Sequence, residues 1–270
     1  MHHEHADPPW ATGALWPPPP TPAGWVRLDC HVHTLVSGDA RTTLDELAER
    51  IEAVRLDVVC ITDHHSIEAA RAALTRDLGA RVIVGEEIRT PSGELIGLFL
   101  SERIPYVLPV AEVVGRIRAQ GGLVYAPHPF DPERAGLQRP VLEALAAAGE
   151  LDIVEVFNAK IADQAHNREA VRLAQRFGLP PGVGSDAHDP PGVGAAYLEV
   201  PDFDGPAALL AALAHGRVVG EYRPHAPRYP SPSLPVPPPG NDGPTHRSAA
   251  PTAHDDTPYR PGTAGWTWRA

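Results

Sequence analysis

Four short apolar runs in this chain each end in a burst of residues able to bind metal: LDCHVHT (28–34), ITDHH (61–65), APHP (126–129) and GSDAH (184–188). Residues two apart on a strand point to the same side, so His31 and His33 can address one cation. Asp39 follows in a loop that can fold back over the strand end, although a loop Asp is more often a turn residue. His64 is the better ligand candidate of its run, because Asp63 reads equally well as the cap of a helix beginning near Ser66. Glu86-Glu87 end a third run, VIVG, where paired carboxylates invite a bridging role. His128 lies between two prolines that restrict its backbone, and Asp186 with His188 closes the series. Each signal alone is modest. Their recurrence at successive strand ends is stronger, because a barrel gathers the C-terminal ends of its strands at one mouth. Nitrogen and oxygen donors without thiolate suit Mn²⁺, Fe²⁺ or Zn²⁺ in a reactive site better than a structural zinc. So many donors point to two or three divalent ions, which can clamp a phosphate and acidify a water.

The elements that must position these residues alternate along the chain. Strands are expected at Val26–Cys30, Val58–Thr62, Val82–Val84, Glu94–Leu100, Leu123–Ala126, Ile153–Phe157 and Pro181–Gly184, with a closing strand at Arg217–Val219. Amphipathic helices are expected at Thr43–Val54, Ser66–Leu78, Val110–Gln120, Val141–Ala148, Asp163–Phe177 and Gly205–His215. Thr43 with Glu46 fits a capping box, and Gly121-Gly122 a helix stop. This order implies an α/β fold with parallel strands and right-handed crossovers. The chain carries 32 prolines, clustered so that residues 1–24 and 223–270 read as Pro-rich disordered tails around a folded region at 25–222. The net charge of −11 argues against broad binding to nucleic acid or anionic membrane. No apolar run approaches a membrane span, and the N-terminus lacks the pattern of a signal peptide, so a cytoplasmic protein is expected. Cys30 and Cys60 read as buried free thiols rather than a disulfide framework.

Over roughly residues 26–200 the chain resembles the polymerase and histidinol phosphatase (PHP) family of metal-dependent phosphoesterases. The resemblance rests on HxH at the first strand, TDH at the second, GxE at the third, PHP in the middle and SDxH near the end. It implies a distorted (β/α)₇ barrel with a two- or three-metal centre and a metal-bridging hydroxide as nucleophile. Carried over, His31, His33, Glu87 and Asp186 would hold the first metal. Glu87 and His128 would hold the second, and Asp39, His64 and His188 the third. One position departs from the pattern: many relatives have a histidine where this chain has Glu94. A carboxylate can still ligate there and would make the second site harder, favouring Mn²⁺ or Fe²⁺; the alternative is that Glu94 faces solvent.

Beyond the ligands, neither cysteine is placed for attack, and no nucleophile elbow or phosphate-binding loop motif is present. Asp186 and His65 are the catalytic candidates, His65 as leaving-group acid or as an orienter of a ligand. Arg89, Arg134, Asn158, Lys160 and Arg168 are candidates for substrate binding, each weighed against a plain surface role. The expected partner is a small phosphate ester, with a nucleotide or short oligonucleotide as a variant, and the Pro-rich tails could recruit a protein. Two other functions stay open: an amidohydrolase-like C–N or carboxylic ester hydrolase, and a non-catalytic metal-binding module.

Overall fold

The structure, a computed structural model, describes residues 20–222 and the pair 267–268. Its hub is β1 (Trp25–Val32), which runs parallel to β2 (Val58–Ile61) and antiparallel to β8 (Ala196–Pro201). From β2 the sheet passes in parallel to β3 (Arg81–Thr90), then antiparallel through β4 (Gly93–Leu98) to β5 (Leu123–Ala126). It continues in parallel through β6 (Ile153–Asn158) to β7 (Pro181–Gly184). On the other side of β1, β8 pairs antiparallel with β9 (Arg217–Gly220), and β10 (Thr267–Trp268) lies parallel beyond it. The segment after β7 curls back onto β1: Asp186 donates its N–H to the His31 carbonyl at 2.8 Å, and His33 donates to Ala187 at 3.0 Å. The sheet is therefore nearly closed, which brings strand ends distant in sequence to one mouth.

Helices cover this sheet for reasons visible in their residues. Thr43 and Glu46 exchange hydrogen bonds at the start of α1 (Leu44–Val54), satisfying two orphan N–H groups, and Leu47, Ile51 and Val54 bury one face. The stop after α3 (Val110–Ala119) falls at Gln120-Gly121, with Gly121 left-handed. The remaining longer helices, α4 (Arg139–Ala148), α5 (Gln164–Phe177) and α6 (Gly205–Leu213), follow β5, β6 and β8.

Several expectations need correction. The hairpin β3–β4 breaks the parallel order, because Thr90-Pro91-Ser92-Gly93 makes a tight turn in which Ser92 N–H bonds Thr90 Oγ1 at 3.1 Å. Consequently β3 runs on to Thr90, and Glu86-Glu87 lie inside it rather than at its end. β8 is an additional strand. Its Glu199 is buried opposite Arg27 of β1, 3.5 Å away, so a charged pair hides the apolar pattern of a central strand. The helix expected at Ser66–Leu78 is only Glu68–Ala73 (α2): Leu74 is exposed, and Asp77 closes a turn by accepting from Gly79 N–H at 3.0 Å. Of the Pro-rich tails, residues 1–19, 223–266 and 269–270 lie outside the described residues; residues 20–24 lead into β1, with Trp25 N–H donating to the Pro22 carbonyl at 3.0 Å, and Thr267–Trp268 form a short strand. Cys30 and Cys60 are free and buried. Among the described residues, no helix is long and apolar enough to cross a membrane.

Candidate metal centre

All of the ligand candidates come together at the mouth where β1, β2, β3, β4, β5 and β7 end or pass. His31 and His33 reach one point, their Nε2 atoms 3.0 Å apart. Glu87 Oε2 lies 3.4 Å from the first and 3.2 Å from the second, and Asp186 Oδ1 lies 3.8 and 3.6 Å away. The other carboxylate oxygen of Glu87 meets His128 Nε2 at 2.9 Å, and Glu94 Oε2 is 3.9 Å from the same ring nitrogen. Asp39 Oδ2 stands between His64 Nε2 (3.4 Å) and His188 Nε2 (3.5 Å). Four overlapping triplets present donor atoms close enough to share an ion: His33–His64–His188, His31–His128–Asp186, His31–His33–Glu87 and Glu87–Glu94–His128. Glu87 belongs to two of these, which suits a bridging carboxylate.

The residues fit a divalent cation on their own hydrogen bonds. His31 Nδ1 faces Glu155 Oε1 at 3.1 Å, so its proton belongs on Nδ1 and its Nε2 lone pair is free. His33 Nδ1 faces Ser37 Oγ at 2.8 Å. The single Ser37 hydroxyl hydrogen goes to Asp63 Oδ1 at 2.7 Å, so Ser37 accepts from His33, and the second lone pair is also free. The two Nε2 atoms thus converge 3.0 Å apart between Glu87 and Asp186, where a divalent cation could take the place of the proton that these carboxylates otherwise hold on His31.

Backbone conformations support the same centre. Asp186 (φ 50°), His128 (φ 28°) and His65 (φ 55°) occupy the left-handed region, which is costly for residues with a Cβ and is held only by surrounding structure. Each is pinned by its N–H: Asp186 to the His31 carbonyl, His128 to Glu155 Oε2 at 2.6 Å, and His65 to the Glu87 carbonyl at 3.0 Å. Gly184, just before Asp186, lies against His31 Cβ and Glu155 Oε1, leaving no room for a side chain.

Charge follows from these contacts. Burial opposes ionisation of Glu87, but the charges of His31 and His64 and a hydrogen bond from His128 hold its carboxyl well below the ordinary range. Burial also opposes ionisation of Asp186, and Lys160, Arg134 and His31 overcome it. His64 is disfavoured as a cation by burial, yet Glu87 and Asp39 raise it to about 9. Glu94 goes the other way, its carboxyl raised by burial and by the charge of Glu87. Glu87 and Asp186 are thus kept ionised in a buried site, which suits a divalent cation.

The cationic candidates divide. Arg89, Arg134 and Lys160 line the cleft, of about 250 Å³, together with Asp39, His64, Glu87, Glu94, His128, Asp186 and His188. Arg134 Nη1 donates to Asp186 Oδ2 at 2.8 Å, and Lys160 Nζ lies 2.9 Å from His188 Nδ1 and 3.6 Å from Asp186 Oδ1. Arg168, half-buried on α5, is not among the lining residues. Nor is His65, whose ring stacks on Tyr106 at 4.4 Å. Burial and the charges of His64 and Arg89 push His65 down to about 4, which favours its neutral ring. Asn158 is engaged with its neighbours: its amide donates to Glu155 Oε2 (2.9 Å) and Asp186 Oδ2 (3.2 Å), and its Oδ1 accepts from Lys160 N–H (2.9 Å). It orients ligands rather than facing open space.

Sequence reasoning missed the residues behind the ligands. Glu155 accepts from His31, from Tyr125 Oη (2.8 Å), from His128 N–H and from Asn158. Asp29 accepts from the N–H groups of His31 (3.2 Å), Ser185 (3.0 Å) and Gly194 (3.2 Å), stitching β1 to the segments after β7. Both are acidic residues inside apolar strand runs, VEVF and RLDC, and that was the available signal. Asp63 does not cap α2. It accepts from Thr34 N–H (2.6 Å), Thr34 Oγ1 (2.8 Å) and Ser37 Oγ, tying the loop after β1 beneath the ligands.

The sequence pattern of the PHP domain matches residues 29–114, and that of the PHP-associated segment matches residues 164–218. An uncharacterised protein of Methanocaldococcus jannaschii is 36% identical over 183 residues, covering 66% of this chain and 72% of that protein. The chain belongs to the PHP family. A probable phosphatase of Syntrophotalea carbinolica is another relative of this PHP chain, 27% identical over 192 residues, covering 60% of this chain and 80% of its own length. The PHP fold is shared with the crystal structure of a two-domain protein from Bacteroides vulgatus containing a predicted PHP-like metal-dependent phosphoesterase. That match has a TM-score of 0.53 at 18% identity and covers 77% of this chain and 71% of that one.

Proposed function

We propose that this PHP protein is a metal-dependent hydrolase of phosphate esters, acting on a small phosphomonoester or a nucleotide-type ester. The observation that carries the choice of phosphate is the placement of Arg89, Arg134 and Lys160 in the cleft that gathers the ligand set. Attack on a carbonyl develops charge on a single oxygen, whereas a phosphoryl group spreads negative charge over several oxygens and makes fuller use of three cations. A cleft of about 250 Å³ suits a small substrate.

His31, His33, Glu87 and Asp186 would hold one divalent ion, Glu87, Glu94 and His128 a second, and Asp39, His64 and His188 a third. Such ions, when bound, supply Lewis acidity and a water of lowered pKa. The chain's own residues do the rest. Glu155 and Ser37 keep the HxH rings in the tautomer that leaves Nε2 unprotonated. Asn158 and Arg134 hold Asp186 Oδ2 and leave Oδ1 toward His31 and His33. Arg89 and Lys160 place positive charge at the rim and floor, where phosphate oxygens would bind. His65 and Arg168 take no part in this reading.

The test is hydrolysis of a panel of phosphomonoesters and nucleotides by protein loaded with Mn²⁺, Fe²⁺ or Zn²⁺, run beside Asp186→Ala. Metal-dependent turnover that disappears in the variant is the expected result. Folded, metal-loaded protein that cleaves carboxylic esters or amides and no phosphate ester would overturn the proposal.

A further inference from the structure

The donors around the mouth are unevenly distributed by chemical type. On the side of β1, β2 and β7, three imidazoles, His33, His64 and His188, gather with one carboxylate, Asp39, between the last two. On the side of the β3–β4 hairpin, the triplet is two carboxylates and one imidazole, Glu87, Glu94 and His128. Imidazole suits zinc and iron, and carboxylate oxygen suits manganese and magnesium.

Glu94 is built into this second triplet. It is buried, and its N–H donates to the Ala135 carbonyl at 2.7 Å, so the hairpin edge is bonded to the loop after His128. Gly93 before it takes φ 117° and packs against the Gly136 backbone, a position that excludes any side chain. Across the hairpin, Arg89 Nε and Nη2 both donate to Glu94 Oε1, at 3.3 and 3.1 Å. One carboxylate oxygen is thereby held outward by a guanidinium, and Oε2 is left on the His128 side.

Resting on the metal-dependent reading above, we propose that the centre has two unequal halves. The ion held by Glu87, Glu94 and His128 is an oxygen-preferring, exchangeable cation of the Mn²⁺ class, distinct in preference from the imidazole-rich ion held by His64 and His188 with Asp39. Arg89 is the positioning residue that restricts Glu94 to a single ligating oxygen and shares its charge, which keeps that ion exchangeable.

The full chain, stripped with chelator, is titrated calorimetrically with Zn²⁺, with Mn²⁺, and with Mn²⁺ after zinc loading, and bound manganese is read by electron paramagnetic resonance. Zinc-loaded protein should still take up Mn²⁺ and release it to chelator before the zinc. Glu94→His should shift the Mn²⁺/Zn²⁺ preference of that position toward zinc by about tenfold or more, the scale on which changes around a metal site act. Glu94→Gln, which keeps the shape if Glu94→His does not fold, should weaken Mn²⁺ uptake and leave zinc binding intact. Zinc filling every site with one affinity, or a preference unchanged in both variants, would overturn the unequal halves while leaving metal dependence standing. A folded chain that binds no divalent cation would instead overturn the metal-dependent reading, and this inference with it.

Discussion

Glu155 on β6 and Glu86 on β3 are both fully buried carboxyl groups beside the mouth, yet they are held in opposite states. Burial raises both. At Glu155, His31, His128 and the Asn158 amide outweigh it, and the group lies below the ordinary glutamate range. At Glu86, among the described residues, the one hydrogen bond comes from Ile104 N–H at 2.8 Å, while Oε1 accepts none and has Arg103 Nε 3.8 Å away. Its carboxyl is pushed up to about 7. Burial alone therefore does not decide whether an acid near this centre is charged; the count of donors aimed at it does.

The most forceful way to break the comparison is to make the same change at both positions. Glu155→Gln turns one of two accepting oxygens into a donor facing His31, Tyr125, His128 or Asn158, all of which are already donors to it. The expected loss is about 3 kcal/mol of stability, in the range for breaking buried ionic networks, together with weaker metal binding. Urea unfolding and metal titration check this. A Glu155→Gln protein as stable as the parent would mean that the network is ornamental.

Glu86→Gln should do the reverse. A carboxyl whose folded value lies near 7 against an ordinary 4.5 binds its proton more tightly when folded. The parent's stability therefore falls as pH rises from about 4.5 to about 7 and stays low above that. The interval corresponds to at most roughly 3 kcal/mol. Glutamine is neutral throughout, so the variant should match the parent near pH 4.5 and exceed it at pH 8. Unfolding midpoints across that range, at fixed metal content, read the slope. An unchanged slope would mean that Glu86 is already ionised and paired.

The legibility of the molecule divides along the same line. The ligand bursts could be read because their residue types are unusual at the ends of apolar runs, and a barrel offers one place for strand ends to meet. The hairpin was misread although its signal was present: the stretch from Val84 to Glu94 is too short for the crossover helix that a parallel strand needs, and Pro-Ser-Gly marks a turn. β8 escaped because its charged Glu199 is answered by Arg27, far away in sequence. The partners of the ligands were least legible. His31 and Glu155 are 124 residues apart, and no local pattern encodes which acid meets which ring. His65 shows the converse: its neighbour His64 joins the ligands, whereas a left-handed backbone puts His65 against Tyr106.

Ser37→Ala gives the finest test, because it removes one hydroxyl from the well-satisfied side without touching a ligand. Ser37 Oγ accepts from His33 Nδ1 and from His64 N–H (3.1 Å) and donates to Asp63. Its loss should cost only about 1 kcal/mol of stability, the net worth of a typical hydrogen bond. The effect on metal should be larger than that figure suggests, about tenfold in affinity. Without an acceptor at Nδ1, His33 can move its proton to Nε2, and the ring then presents a donor where a cation needs a lone pair. The tautomer is directly observable by ¹⁵N chemical shifts of labelled histidine in metal-free protein. A His33 that keeps its Nδ1 proton in Ser37→Ala would show that a donor facing Nε2, the His31 ring 3.0 Å away, rather than the serine behind it, sets the tautomer.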